Sequence, residues 1–176
     1  MKQEKKSTFE TMVRPILVLT IICIVVSGLL AVTHSITQPI IDGRAQREAD
    51  ASRIVLLPTA DSFSKVEYSD DIISDVYAAD NGAGYVITGA AKGYGGDVPV
   101  TVGLNSDGTI SAIQIGDNNE TPGVGKKVMD ASFTDQFKGK TKASEVDGIS
   151  GATFSSKAVF AVVDAAEAAY QTVKGA

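Results

Sequence analysis

The residues best placed to do chemistry lie near the C-terminus, in Asp147-Gly148-Ile149-Ser150-Gly151-Ala152-Thr153. Very small side chains here present one secondary hydroxyl, that of Thr153. Phe154-Ser155-Ser156 then open what reads as a long helix, from about Ser155 to Val173. A helix N-terminus gathers unpaired backbone donors and the positive end of the macrodipole, and both suit a phosphate. A phosphate joined to Thr153 would therefore find stabilising surroundings. Lys157, in the first turn, adds a compact positive charge, although a cation at that end works against the dipole. The competing reading is structural: Ser150, Thr153, Ser155 or Ser156 caps the helix.

Two other segments are rich in turn-forming residues, Gly93-Tyr94-Gly95-Gly96 and Glu120-Thr121-Pro122-Gly123-Val124-Gly125. Pro122-Gly123 suits a tight turn. Taken singly, each segment reads as an ordinary surface loop. Gly123-Val124-Gly125-Lys126-Lys127 has some features of a nucleotide phosphate loop, but that motif needs Gly five residues before its final Gly and Ser or Thr after its Lys. Glu120 and Lys127 occupy those places, so the assignment is rejected.

Composition removes further classes. The chain has 176 residues, 16 basic and 21 acidic, for a net charge of −5. Lys2, Lys5, Lys6 and Arg14 come before its apolar run, so the remainder is more acidic still. Such a domain lacks the basic footprint that nucleic acid requires. One Cys and one His leave no disulfide, no Cys-x-x-Cys metal clamp and no c-type haem site. His34 reads as an interfacial polar residue rather than a ligand. No metal site is expected, and no side chain stands out as a catalytic acid or base.

Several elements must hold these loops. Asp75 to Ala79 and Tyr85 to Ala90 flank the turn-rich Asp80-Asn81-Gly82-Ala83-Gly84, which predicts a hairpin. Val98 to Leu104 and Thr109 to Ile115 flank Asn105-Ser106-Asp107-Gly108 and predict a second, with Ile113 and Ile115 on one face. A short helix is expected over Ala131 to Phe137, with Phe133 and Phe137 one turn apart. Val159, Val163, Ala166, Tyr170 and Val173 form the apolar stripe of the last helix and read as core. Hairpins with segregated helices give an α+β domain.

At the other end, Pro15 to Thr33 carries no charge and approaches the ~20 apolar residues of a membrane-spanning helix. A signal peptide's apolar region is shorter, ~7–15 residues, and no small-residue cleavage site follows. The expected layout is a basic tail over 1–14, an uncleaved anchor over 15–34, a juxtamembrane helical stalk over 35–60 and a compact domain over 61–176. The positive charges before the run place the tail in the cytoplasm and the domain outside. The stalk reads as a helix from Ile40 to Leu57, stopped by Pro58.

Asp147-Gly148-Ile149-Ser150-Gly151-Ala152-Thr153 resembles the flavinylation motif of the FMN-binding domains in two ion-pumping complexes, the Rnf complex and the sodium-pumping NADH:quinone reductase. In that family the pattern is an acidic residue, two intervening positions, Ser or Thr, Gly, Ala and an acceptor Thr. Thr153 matches the acceptor, and Asp147, Ser150, Gly151 and Ala152 match the recognition positions. Gly93-Tyr94-Gly95-Gly96 is similar to a glycine-rich stretch of the family. Glu120 to Gly125 is similar to its Glu-Thr-Pro-Gly-Leu-Gly loop, with Val124 in place of Leu. Single anchor, compact domain and length are most similar to the Rnf-type member, with the quinone-reductase counterpart as the nearest alternative.

The resemblance implies FMN joined by a phosphoester to Thr153, placed there by a separate flavin transferase that consumes FAD. It also implies an electron-carrying subunit among other membrane subunits of an ion-translocating ferredoxin:NAD oxidoreductase. Thr121, Gly123, Gly125 and Gly95 become candidate cofactor contacts, since glycines let backbone donors approach a planar ring closely. Glu120 becomes a candidate modulator of the flavin potential. Two alternatives remain: a surface flavoprotein that passes electrons to extracellular acceptors, and a scaffold or binding module without flavin.

Overall fold

The computed structural model describes residues 14–68 and 70–174 of the chain. The expected basic tail, with Lys2, Lys5 and Lys6, lies outside the described residues. The chain divides into two units, residues 1–48 and 49–176.

Helix α1 runs from Arg14 to Leu56. It is continuous where the sequence suggests a separate anchor and stalk, because a change from apolar to polar composition alters what a helix suits, not whether its hydrogen-bond ladder continues. Leu57 closes the last turn onto the Arg53 carbonyl at 3.0 Å, and Pro58 follows. The apolar side chains from Ile16 to Leu30 are exposed, Ile16 at 65% and Leu30 at 65%. Among the described residues, no helix is long and apolar enough to cross a membrane.

The larger unit is built on one antiparallel sheet in meander order: β1 (Phe63–Val66), β2 (Ile73–Ala79), β3 (Gly84–Lys92), β4 (Asp97–Asn105) and β5 (Ile110–Ile115). Both predicted hairpins form, β2–β3 and β4–β5. Strand β1 was not anticipated. It has only four residues, and Ser64-Lys65 at its centre dilute the apolar signal.

Period-2 alternation explains most of the core. Val98, Val100, Val102 and Leu104 of β4 point to one face and are all buried. Bulges extend that logic where spacing alone fails. Ile110 and Ile113 are three residues apart and would face opposite ways on a regular strand. The register shifts at Ser111, between the Gly103–Ala112 and Leu104–Ile110 pairs, and both Ile side chains reach the core. The same device near Ser74 turns Ile73 and Val76 inward together.

Helix α3 (Thr153–Val173) covers this apolar face with Val159, Val163, Ala166, Tyr170 and Val173, as its spacing predicts. The expected helix over Ala131 to Phe137 is instead α2 (Ala131–Thr134) followed by a 3₁₀ turn at Asp135–Phe137. Its two Phe rings still meet, edge to face, 5.4 Å apart, and Phe160 of α3 packs against both. The opposite face of the sheet carries a smaller cluster of Leu56, Leu57, Ala60, Phe63, Ala79 and Val86. Gly103 is essential to it, because a Cβ there would stand 2.4 Å from the Leu56 carbonyl oxygen.

Candidate functional site

The Asp147–Thr153 loop gets its shape from three local features. Ala152 N–H donates to the Ile149 carbonyl at 3.0 Å, closing a turn around Ser150-Gly151. Gly151 has φ 82°, a conformation that costs an L side chain roughly 1–2 kcal/mol. Ile149 N–H donates to Ser156 Oγ at 3.0 Å, which pins the loop to the first turn of α3.

Helix α3 begins at Thr153, two residues earlier than the sequence suggests, and its N-cap is Ala152. Ala152 has no acceptor, and no side chain caps the helix. The capping role that the competing reading gave to Ser150, Thr153, Ser155 or Ser156 is not filled. Ser156 is engaged with Ile149, and Ser155 donates to Glu120 Oε2. An Ala cap forgoes about 1 kcal/mol that Ser, Thr or Asp would supply. It leaves the first amides of the helix without a side-chain acceptor beside an exposed Thr153, an arrangement suited to an anion.

Around that hydroxyl lies an open cleft of about 240 Å³. It gathers Glu120, Thr121, Gly125, Gly151, Ala152 and Thr153 from two separate segments of the sequence. Gly95, Gly123, Asp147, Ser150 and Lys157 fall outside its lining. Gly123 sits at an exposed turn with φ 75°, Asp147 and Ser150 are exposed on the Asp147–Thr153 loop, and Lys157 is exposed one helical turn after Thr153. Positions i and i+4 share a helix face, so Lys157 and Thr153 lie on the same side of α3.

Four lining residues were missed from sequence: Tyr94, Val124, Phe154 and Ser155. Tyr94 is 76% and Phe154 65% exposed, and their rings stand 6.3 Å apart, tilted by 47°. Together they form an aromatic wall that water covers poorly and a flat ring would cover well. Their signal in the sequence is an aromatic residue set among glycines or directly after Thr153.

Glu120 is almost fully buried, at 1% exposure. One carboxylate oxygen accepts from Gly95 N–H at 2.7 Å and the other from the Ser155 hydroxyl. Burial pushes its carboxyl up, but hydrogen bonds from Ser155 and from the Gly95 and Tyr94 amides outweigh it and hold the carboxyl below its ordinary value. Two of the glycines offered as ring contacts, Gly95 and Gly125, also adjoin this carboxylate, as does Gly93. A Cβ on Gly93 would stand 2.6 Å from Glu120 Oε1, and one on Gly125 would stand 2.8 Å from Oε2. On Gly95 a Cβ would strike the Asn119 carbonyl oxygen at 2.1 Å. Among the described residues, no group of His, Cys, Asp and Glu forms a metal site.

Comparison with known proteins agrees with this geometry. The family model of the FMN-binding domain matches residues 93–168, which span the Tyr94 loop, the Glu120 loop and most of α3. The chain is 32% identical to the G subunit of the proton-translocating ferredoxin:NAD(+) oxidoreductase complex of Clostridium ljungdahlii, over 80% of this chain and 82% of that protein. It is 30% identical to the G subunit of the Na(+)-translocating complex of Acetobacterium woodii, over 89% of this chain and 90% of the relative. The G subunit of the ion-translocating oxidoreductase complex of Methanosarcina acetivorans is 32% identical, with coverage of 90% and 92%. In fold the chain is similar to the crystal structure of the C subunit of Na(+)-translocating NADH-quinone reductase from Parabacteroides distasonis, with a TM-score of 0.50 and 24% identity over 64% of this chain and 73% of that one. The chain belongs to the family of G subunits of Rnf-type ion-translocating ferredoxin:NAD oxidoreductase complexes.

Proposed function

We propose that this protein is the electron-carrying G subunit of such a complex, with FMN attached through its phosphate to Thr153 Oγ1. The observation that carries the reading is the first turn of α3. An exposed threonine hydroxyl stands at an uncapped helix N-terminus, inside an aromatic-walled cleft, within the stretch that matches the FMN-binding domain. FMN supplies the reversible redox chemistry, and the protein supplies tethering, orientation and electrostatics.

The residues divide that work. The open amides at the start of α3 and the Lys157 ammonium would neutralise the phosphodiester. Tyr94 and Phe154 would flank the ring, while the cleft's openness keeps one ring edge within reach of a partner. Attachment would need a separate flavin transferase. The Thr153 oxygen would bond the FMN phosphorus of FAD, the pyrophosphate linkage would break, AMP would leave and the hydroxyl proton would pass to solvent. Asp147 and Ser150, both exposed on the acceptor loop, would be read by that transferase.

The uncharged run before His34, with Arg14 at its start, supports a single-pass anchor over about 15–34 and an extracytoplasmic domain. The partners are then the other membrane subunits of the complex. Relatives of nearly equal identity are named for proton and for sodium translocation, so overall similarity does not select the ion.

The deciding experiment is an intact-mass spectrum of native protein and Thr153→Ala, each produced with an active flavin transferase. A mass increment of FMN minus water in the native protein alone, with yellow absorbance, is the expected result. A colourless, unmodified native protein would reduce Thr153 to a loop residue and end the proposal.

A further inference from the structure

Glu120 is a buried anion with no cationic partner among the ion pairs of the described residues. A charge taken out of water is costly, and hydrogen bonds return only part of what hydration gave. Glutamine has the same size and also accepts hydrogen bonds, so packing alone does not call for a carboxylate. Yet much of the site is arranged around this one group. Gly93 and Gly125 lack side chains that would collide with its two oxygens, and Gly95 and Ser155 aim donors at it. Its backbone is fixed too, since Asn118, itself buried, accepts Glu120 N–H at 3.1 Å through Oδ1 and donates to the Gly116 carbonyl at 3.0 Å.

The two donors come from two separate segments of the chain. Gly95 belongs to the β3–β4 loop that carries Tyr94, and Ser155 lies in the turn of α3 that carries Thr153 and Phe154. We propose that Glu120 is a positioning residue that works as a charged clamp: its carboxylate ties the Tyr94 loop to the first turn of α3, fixing the aromatic wall beside Thr153 and holding one negative charge at the cleft floor. This rests on the FMN reading above and extends it to the cofactor's energetics. A fixed negative charge disfavours adding electrons to a ring nearby, so the clamp holds the flavin potential lower than the same cleft would with a neutral residue.

The test compares native protein, Glu120→Gln and Ser155→Ala, each produced both with and without the flavin transferase. Glu120→Gln keeps the shape and removes the charge. Its flavin midpoint potential, read by spectroelectrochemical titration, should shift upward, and an unchanged potential would overturn the charge assignment. In flavin-free protein, the Gly95 amide resonance should sit downfield in the native form and move upfield in Glu120→Gln. An amide that stays in place would overturn the clamp. Ser155→Ala keeps the carboxylate and cuts its tie to α3, so hydrogen exchange across Gly93 to Gly96 should quicken about tenfold, the equivalent of ~1.4 kcal/mol. Unchanged exchange would also overturn the clamp. Because the amide and exchange readouts need no flavin, the clamp can fail while Thr153 is still modified, and Thr153 can fail as acceptor while the clamp stands.

Discussion

Helix α3 ends in an aromatic pair at each extremity, and the two pairs behave oppositely. At the C-terminal end Tyr85 and Tyr170 meet edge to face with centroids 5.6 Å apart. Tyr170 is 3% exposed, and its hydroxyl donates to the Ser106 carbonyl at 2.8 Å. Gly108, at φ 87°, gives it room, since a Cβ there would lie 3.0 Å from the ring. At the N-terminal end Tyr94 and Phe154 stand further apart, face solvent and surround a cleft. The first pair closes the fold. The second contributes little to it and presents a surface suited to a flat partner. One helix thus combines a structural end with a binding end, and hydrogen bonding and burial separate the two more clearly than residue type does.

The sharpest way to break this comparison is Thr153→Ala. It should abolish covalent flavin completely, read by mass and absorbance, while thermal stability stays within about 0.5 kcal/mol of native, as for other exposed sites. A large loss of stability would make the N-terminal end structural after all.

Tyr170→Ala should act the opposite way. Truncating a buried aromatic costs about 3–5 kcal/mol, measurable as a lower urea midpoint. If it costs no more than Phe154→Ala, the distinction between the two ends collapses.

Acid should reveal the Glu120 end next. At Glu120 burial is overcome by hydrogen bonds from the Ser155 hydroxyl and two amides, and carboxyls elsewhere are lowered by local donors. At Asp80 these are the Ser62 and Ser64 hydroxyls, and at Glu145 the Thr141 amide and hydroxyl. A folded value below the unfolded one, which lies near ~4, contributes stability that is complete above that unfolded value. It is lost as the pH falls through the lower folded value. Urea midpoints should therefore hold steady from neutrality down to about pH 5 and fall below ~4, and they should fall less steeply in Glu120→Gln. A midpoint that rises on acidification would contradict the sign. The smallest effect belongs to Phe154→Ala, expected to leave stability within about 0.5 kcal/mol but to increase solvent quenching of bound flavin.

Much of this was legible beforehand because it depends on local rules. Turn residues between alternating strands announced both hairpins, and the stripe from Val159 to Val173 announced the face of α3 that is buried. Strand β1 escaped because its four residues gain their order from pairing with β2 rather than from their own pattern. The bulges at Ser111 and near Ser74 escaped because spacing gives only the regular parity, and a register shift is decided by what the neighbouring strand and the core require.

At the site, the small-residue loop ending in Thr153 and its place ahead of a helix were set by the sequence alone. Composition likewise argued against disulfide, c-type haem and nucleic-acid roles. Tertiary structure decided the rest, because the relevant contacts join residues far apart in the chain. It carried Glu120 to Gly95 and Ser155, set Gly93 and Gly125 against that carboxylate, left α3 without a side-chain cap and set Tyr94 beside Phe154. A sequence records which groups are present and how closely they follow one another. Which buried charge meets which donor depends on how strands and helix pack in space.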